Sequence, residues 1–102
     1  MKDCCSTYLN EQFGGDADIV NEIYTEYSAS AKQKVVDAEA ALAAGQWDAL
    51  DKIAHTIKGN ALAAGDNETA QVGIDLRRAA QLEDATVASP LVEQLKVLTA
   101  AL

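Results

Sequence analysis

The chain has 102 residues, about half of them apolar and a quarter charged, with a formal net charge of −8 at pH 7. That length suits one domain, spanning 1–102, whose core needs no disulfide or metal staple. So acidic a surface repels phosphate backbones and anionic headgroups, which argues against nucleic-acid and membrane roles and favours a basic partner surface.

The opening Met1-Lys2-Asp3-Cys4-Cys5-Ser6 lacks the apolar stretch of a secretory signal, and no later run approaches the ~20 residues of a membrane span. Cys4 and Cys5 are adjacent, a spacing that fits neither a zinc site nor an unstrained bridge. They read as reduced thiols, and the expected compartment is the cytoplasm. A leader over 6–13 follows, with Leu9 and Phe13 laid on the core and Gly14-Gly15 as its stop. The next helix spans about 17–44. Asp16 or Asp18 can cap it, Gly45 can end it, and its apolar stripe is Val20, Ile23, Tyr24, Tyr27, Ala31, Val35, Ala38 and Leu42.

A third helix is expected over 47–64 with Gly65 as its stop. Leu50, Ile53, Ala54, Ile57, Ala61 and Ala64 form its buried face. The fourth, over 68–83, buries Val72, Leu76, Ala79 and Ala80, with Thr69 continuing the stripe. The fifth, over 90–101, starts at Ser89-Pro90, because serine caps and proline suits the first helical position. Leu91, Leu95, Leu98 and Leu102 are its stripe. Alanine is abundant, only five residues are aromatic, and no strand alternation occurs. The expected fold is all-α, an antiparallel up-down four-helix bundle with a short N-terminal helical leader.

The single histidine, His55, lies about 150° around the third helix from the centre of its apolar stripe and so faces water. Lys58 and Gly59, at i+3 and i+4, are its neighbours on the helix surface. Gly59 sits inside a helix, where glycine costs ~1 kcal/mol relative to alanine. A missing side chain there gives steric access to the ring for another protein's active site. Lys58 can offer its ammonium to a phosphoryl group. Asp48, Asp51 and Leu62 share this face, with Gly65 and Asp66 beyond it, and this set is the expected partner-docking surface. Each residue alone has a plain reading as solvated surface, since single exposed leucines and lysines are common. Their joint placement favours function.

The stretch Ala54-His55-Thr56-Ile57-Lys58-Gly59-Asn60-Ala61, with Gly65, resembles the AHxLKG…G signature of histidine-containing phosphotransfer domains. The upstream segment 40–50 is similar to the family's lead into its active helix, and the resemblance covers roughly 13–83. It implies that His55 is the phosphorylated residue, that Lys58 assists near the phosphoryl group, and that Gly59 is the small residue packed by the ring. Gly65 matches the glycine that ends the active helix. The chain departs from the family at Thr69, where a large apolar residue is common, at Asn60, and at Arg77, where an acidic residue often follows the leucine.

The expected chemistry is that of a two-component phosphorelay. His55 accepts a phosphoryl group from a receiver-domain aspartate, or from a histidine kinase, and passes it to a response-regulator aspartate. The resemblance suggests Nε2 as the reacting nitrogen. Such transfer needs in-line placement and charge neutralisation more than covalent help. Magnesium is expected on the partner receiver rather than on this chain. No glycine-rich phosphate loop is present, so an ATP-dependent kinase is not expected. A free-standing monomeric carrier is the expected form, and a fragment of a larger hybrid kinase reads the same in this window. The weighed alternatives are a non-catalytic adaptor that docks receiver or kinase domains, a metal-binding bundle, which one outward histidine cannot supply, and a purely structural bundle, in which Gly59 has no role.

Overall fold

Three aspartates start three of the helices. In the computed structural model, which describes residues 1–102, Asp16, Asp66 and Asp84 stand at the N-caps of α2 (Ala17–Ala43), α4 (Asn67–Gln81) and α5 (Ala85–Ala100). Each accepts backbone N–H bonds from the first turn. These bonds satisfy donors that a helix start otherwise leaves unpaired. The remaining elements are α1 (Asp3–Gln12) and α3 (Trp47–Ala63). The chain is all-helical, with five helices and no strands.

α2 packs against α1, α3 and α5, α3 against α4, and α4 against α5. The four long helices thus form a bundle around a shared core, and the molecule is 43 Å long and about 19 Å across. The core has two clusters. Toward one end, Val35, Ala38, Leu50, Ala54, Ile57, Val72, Leu76 and Leu95 are buried together. At the other, Cys5 and Leu9 of α1 join Val20, Tyr24 and Tyr27 of α2 and Ala61 of α3.

Alanine lets the helices approach, and Gly73 brings α3 and α4 closest. A Cβ on Gly73 would lie 3.2 Å from Lys58 N, 3.3 Å from Ala54 O and 3.4 Å from Lys58 Cα. α3 closes through Gly65, at φ +76°, a left-handed conformation that glycine adopts without penalty. Asp66 N then donates to Ala61 O at 2.8 Å and Gly65 N to Leu62 O at 3.2 Å, which satisfies the last carbonyls.

Three expected boundaries move. α5 begins at Ala85, not at Ser89-Pro90, and Pro90 lies inside it. The stronger start signal is Asp84, whose Oδ1 takes bonds from Thr86 N at 3.1 Å, Val87 N at 3.3 Å and Thr86 Oγ1 at 2.6 Å. Pro90 is exposed, and its missing N–H removes only the bond to a carbonyl near the start of the helix. The buried face becomes Ala88, Val92, Leu95 and Thr99, with Leu91 and Leu98 packed at its edge. α4 ends at Gln81 rather than 83. The leader is a full helix over 3–12 that buries Cys5 and Leu9. Phe13 lies past its end at φ −116°, off the stripe, and is 41% exposed.

Candidate functional site

Near the middle of α3, Leu50, Ala54, Ile57 and Ala61 turn into the core. The same 3.6-residue period turns His55 to solvent, where its side chain is exposed. The ring leans toward α4. Arg77 Nη1 lies 3.3 Å from His55 Nδ1. The guanidinium is also anchored, because its Nε–H donates to Asp51 Oδ1 at 2.9 Å. Gln81 Nε2 donates to that same oxygen at 3.4 Å. Asp51, one turn before His55, and His55 itself therefore hold Arg77 between them. Gly73, one turn before Arg77, sets the close approach of α4 that makes this reach possible.

Lys58 is half-buried. The ion pairs of the chain are made by Lys2, Arg77 and Lys96, so the Lys58 ammonium is unpaired. Lys58, Arg77 and Arg78 line one shallow hollow with Ile74 and Gln81. A chain of net charge −8 thus gathers three cations along one hollow, of which Arg77 touches its one histidine.

Gly59 is exposed, and a Cβ built on it would meet nothing within 4 Å. The expected packing of the ring on Gly59 is therefore not found. Helical side chains point back toward the N-terminus, so the ring covers the Asp51 side and leaves the space over Gly59 open.

Of the expected docking set, Asp48 and Leu62 are exposed, Leu62 by 47%, and Asp51 is bound to Arg77. Gly65 and Asp66 do not belong to that surface. Gly65 is buried against Tyr8 of α1, and Asp66 is wholly buried. Asp66 accepts from the Tyr27 hydroxyl at 2.7 Å, Thr69 Oγ1 at 2.8 Å, Thr69 N at 3.3 Å and Lys2 Nζ at 3.2 Å. Burial works to raise its pKa, but the bonds from Tyr27, Thr69 and Lys2 outweigh it and hold the carboxyl below the usual range. The same cluster affects its neighbours. Burial, then the Asp66 hydrogen bond, pushes the Tyr27 phenol up. Burial, then Cys4 and Asp66, pushes the Cys5 thiol up to about 12.

The sequence reading registered Arg77 only as a departure from the family, and Gly73 not at all. Both act across the α3–α4 contact, whose register no periodicity within one helix reveals. A glycine on the buried stripe between Val72 and Leu76 is the signal that marks such an approach.

Fold and site together define a class: a helical bundle that presents a single exposed histidine, with an arginine on its ring, at the middle of one helix. The sequence model of the Hpt domain matches residues 22–102, and the chain belongs to that family. Hpt domains carry out phosphotransfer in two-component signalling, interacting with receiver and kinase domains. No curated protein and no solved structure matches the chain. No helix is long and apolar enough to cross a membrane.

Proposed function

We propose that this chain is a phosphocarrier whose site is His55. Its Nε2 lone pair attacks the phosphorus of an aspartyl phosphate on a receiver domain. The N–P bond forms, the P–O bond breaks, and the aspartate leaves as carboxylate. A second receiver aspartate then reverses this chemistry and takes the phosphoryl group away, or a histidine kinase supplies it at the first step.

The observation that carries this reading is the exposed His55 at mid-helix with an unpaired Lys58 ammonium three residues on. Lys58 supplies a point charge to the phosphoryl oxygens. The open space over Gly59 admits the partner's active site, and Asp48 and Leu62 form part of the rim it meets. Magnesium is taken to come with the receiver, as the resemblance to the family implies. The scaffold for this is an up-down antiparallel bundle, acting as a monomer in the cytoplasm, where its receivers work.

The test is transfer from a phosphorylated receiver domain with magnesium, reading acid-labile, base-stable phosphate on this chain. Label on the native chain that is absent in His55→Gln is the expected result. Binding without label across several receivers would replace the carrier with an adaptor.

A further inference from the structure

Arg77 approaches His55 with its orientation already fixed by Asp51. A guanidinium carries five N–H donors and no lone pair, so it cannot accept a hydrogen bond. In the 3.3 Å contact, His55 Nδ1 must therefore be the acceptor. A neutral imidazole has one protonated and one bare nitrogen. With Nδ1 bare, the proton sits on Nε2, on the far side of the ring from α4. That is the nitrogen the proposed phosphotransfer needs bare.

We propose that Arg77 is a positioning residue that selects the ring tautomer of His55, keeping Nδ1 as an acceptor while no receiver is docked, both before and after phosphorylation. The second half of this inference rests on the phosphocarrier reading. The first does not.

In the resting chain the Nε2 lone pair is masked by its proton. Attack requires the guanidinium to leave Nδ1 so that the proton settles there instead. A docked receiver draws it away, because an aspartyl phosphate presented from outside offers guanidinium a fork geometry that one ring nitrogen cannot, whereas a phosphoryl group already on Nε2 lies on the far side of the ring from Arg77. The ring is thus disarmed until a partner docks.

Once the receiver has left and the Nδ1 proton has passed to solvent, the same contact re-forms on the neutral phosphorylated ring. When the N–P bond breaks, its electron pair stays on Nε2. The ring departs as neutral imidazole if Nδ1 carries a proton, and as the poorer leaving group imidazolate if it does not. Arg77 on Nδ1 competes with that proton. It therefore protects the phosphohistidine against water while no receiver is bound. Asp51 matters through Arg77, since it fixes the guanidinium plane that aims Nη1 at the ring.

The experiment is long-range 1H–15N correlation of the His55 ring in the unphosphorylated full chain, at a pH where the ring is neutral. The native chain is expected to show a bare Nδ1 and a protonated Nε2. In Arg77→Ala the two nitrogens should move toward each other as both tautomers populate, with Arg77→Lys and Asp51→Asn falling between. Identical ring shifts in the native chain and Arg77→Ala would overturn the inference. A protonated Nδ1 in the native chain would do the same. Lifetime is the second readout. With no receiver present, the phosphohistidine of Arg77→Ala should hydrolyse about three- to tenfold faster, the scale of one ordinary net hydrogen bond. An unchanged lifetime would overturn the protective role. A failure of phosphorylation in every variant would sink the carrier reading, and the tautomer result would still stand on its own. Arg77 lies at the surface, and circular dichroism on each variant separates loss of the contact from loss of the fold.

Discussion

Gly59 has no packing role in the fold, and the proposed function gives it a role at the partner's approach. A Cβ there meets nothing within 4 Å, so Gly59→Ala costs no packing and gains helix propensity. We expect it to stabilise the chain by about 0.5–1 kcal/mol in urea unfolding. The same methyl group stands in the open space beyond His55, so the rate of phosphotransfer from a receiver should fall although the fold is intact. A variant both more stable and slower is the expected pair of outcomes. A faster or unchanged rate would remove the steric role. Lys58 has a different signature. Lys58→Ala deletes one unpaired cation near the phosphoryl group, and the transfer rate should drop roughly tenfold, with stability changed by no more than about 0.5 kcal/mol. The shared strip of α3 that carries His55, Lys58 and Gly59 was legible in the sequence from helical phase alone. The ring's partner was not legible. Arg77 lies on another helix, and only the Gly73 approach brings it within reach.

Among the elements, the turn between α4 and α5 carries a cost that the other inter-helix turns avoid. Glu83 sits at φ +51°, where a non-glycine residue is penalised by roughly 1–2 kcal/mol. Its geometry is that of a helix C-terminal turn, with Asp84 N on Ala79 O at 3.0 Å and Glu83 N on Ala80 O at 3.1 Å. Glu83→Gly should therefore stabilise the chain by about 0.5–1 kcal/mol, the strain relieved less the entropy that glycine adds to the unfolded state. A rise in Tm of the variant checks it. Gly73→Ala should act the other way. Its new Cβ meets backbone atoms of α3 at 3.2–3.4 Å, and backbone cannot rotate aside. The helices must part by a few tenths of an ångström, and the loss should exceed the propensity gain by about 1 kcal/mol. These two positions also show why boundaries were harder to read than helices. The stripes of α2, α3 and α4 were visible as three-four spacing. The start of α5 was misplaced because Ser-Pro is a recognisable opening, whereas Asp84 follows the non-glycine turn at Glu83 and carries no break before it.

Across the whole molecule, Asp66 is the joint between the leader and the bundle. Its buried carboxylate caps α4 and binds Tyr27 of α2, Thr69 of α4 and Lys2 just ahead of α1. The sequence placed this residue on the docking face because it follows Gly65 at the end of the active helix. Lys2 and Tyr27 are far away in sequence and close only once the leader folds back. The consequence is a dependence of stability on pH with a definite sign. Burial alone would favour the protonated acid, but the three donors reverse that and hold the carboxyl below its usual range in the fold. In the unfolded chain it titrates near ~3.9. Its contribution is therefore present above about pH 4 and is lost as pH falls through the lower folded value. Protonation of the other acidic groups complicates the raw profile, since it relieves the repulsion of a chain at −8. The difference between the native chain and Asp66→Asn isolates the one group. Asparagine keeps part of the cap but loses the ion pair, so the variant should be less stable by about 2–4 kcal/mol at pH 7. Urea unfolding at pH 7, 4 and 2.5 should show that gap narrowing as acid is added. A gap that stays constant over the range would mean that the Asp66 charge contributes nothing and only its hydrogen-bonding shape does.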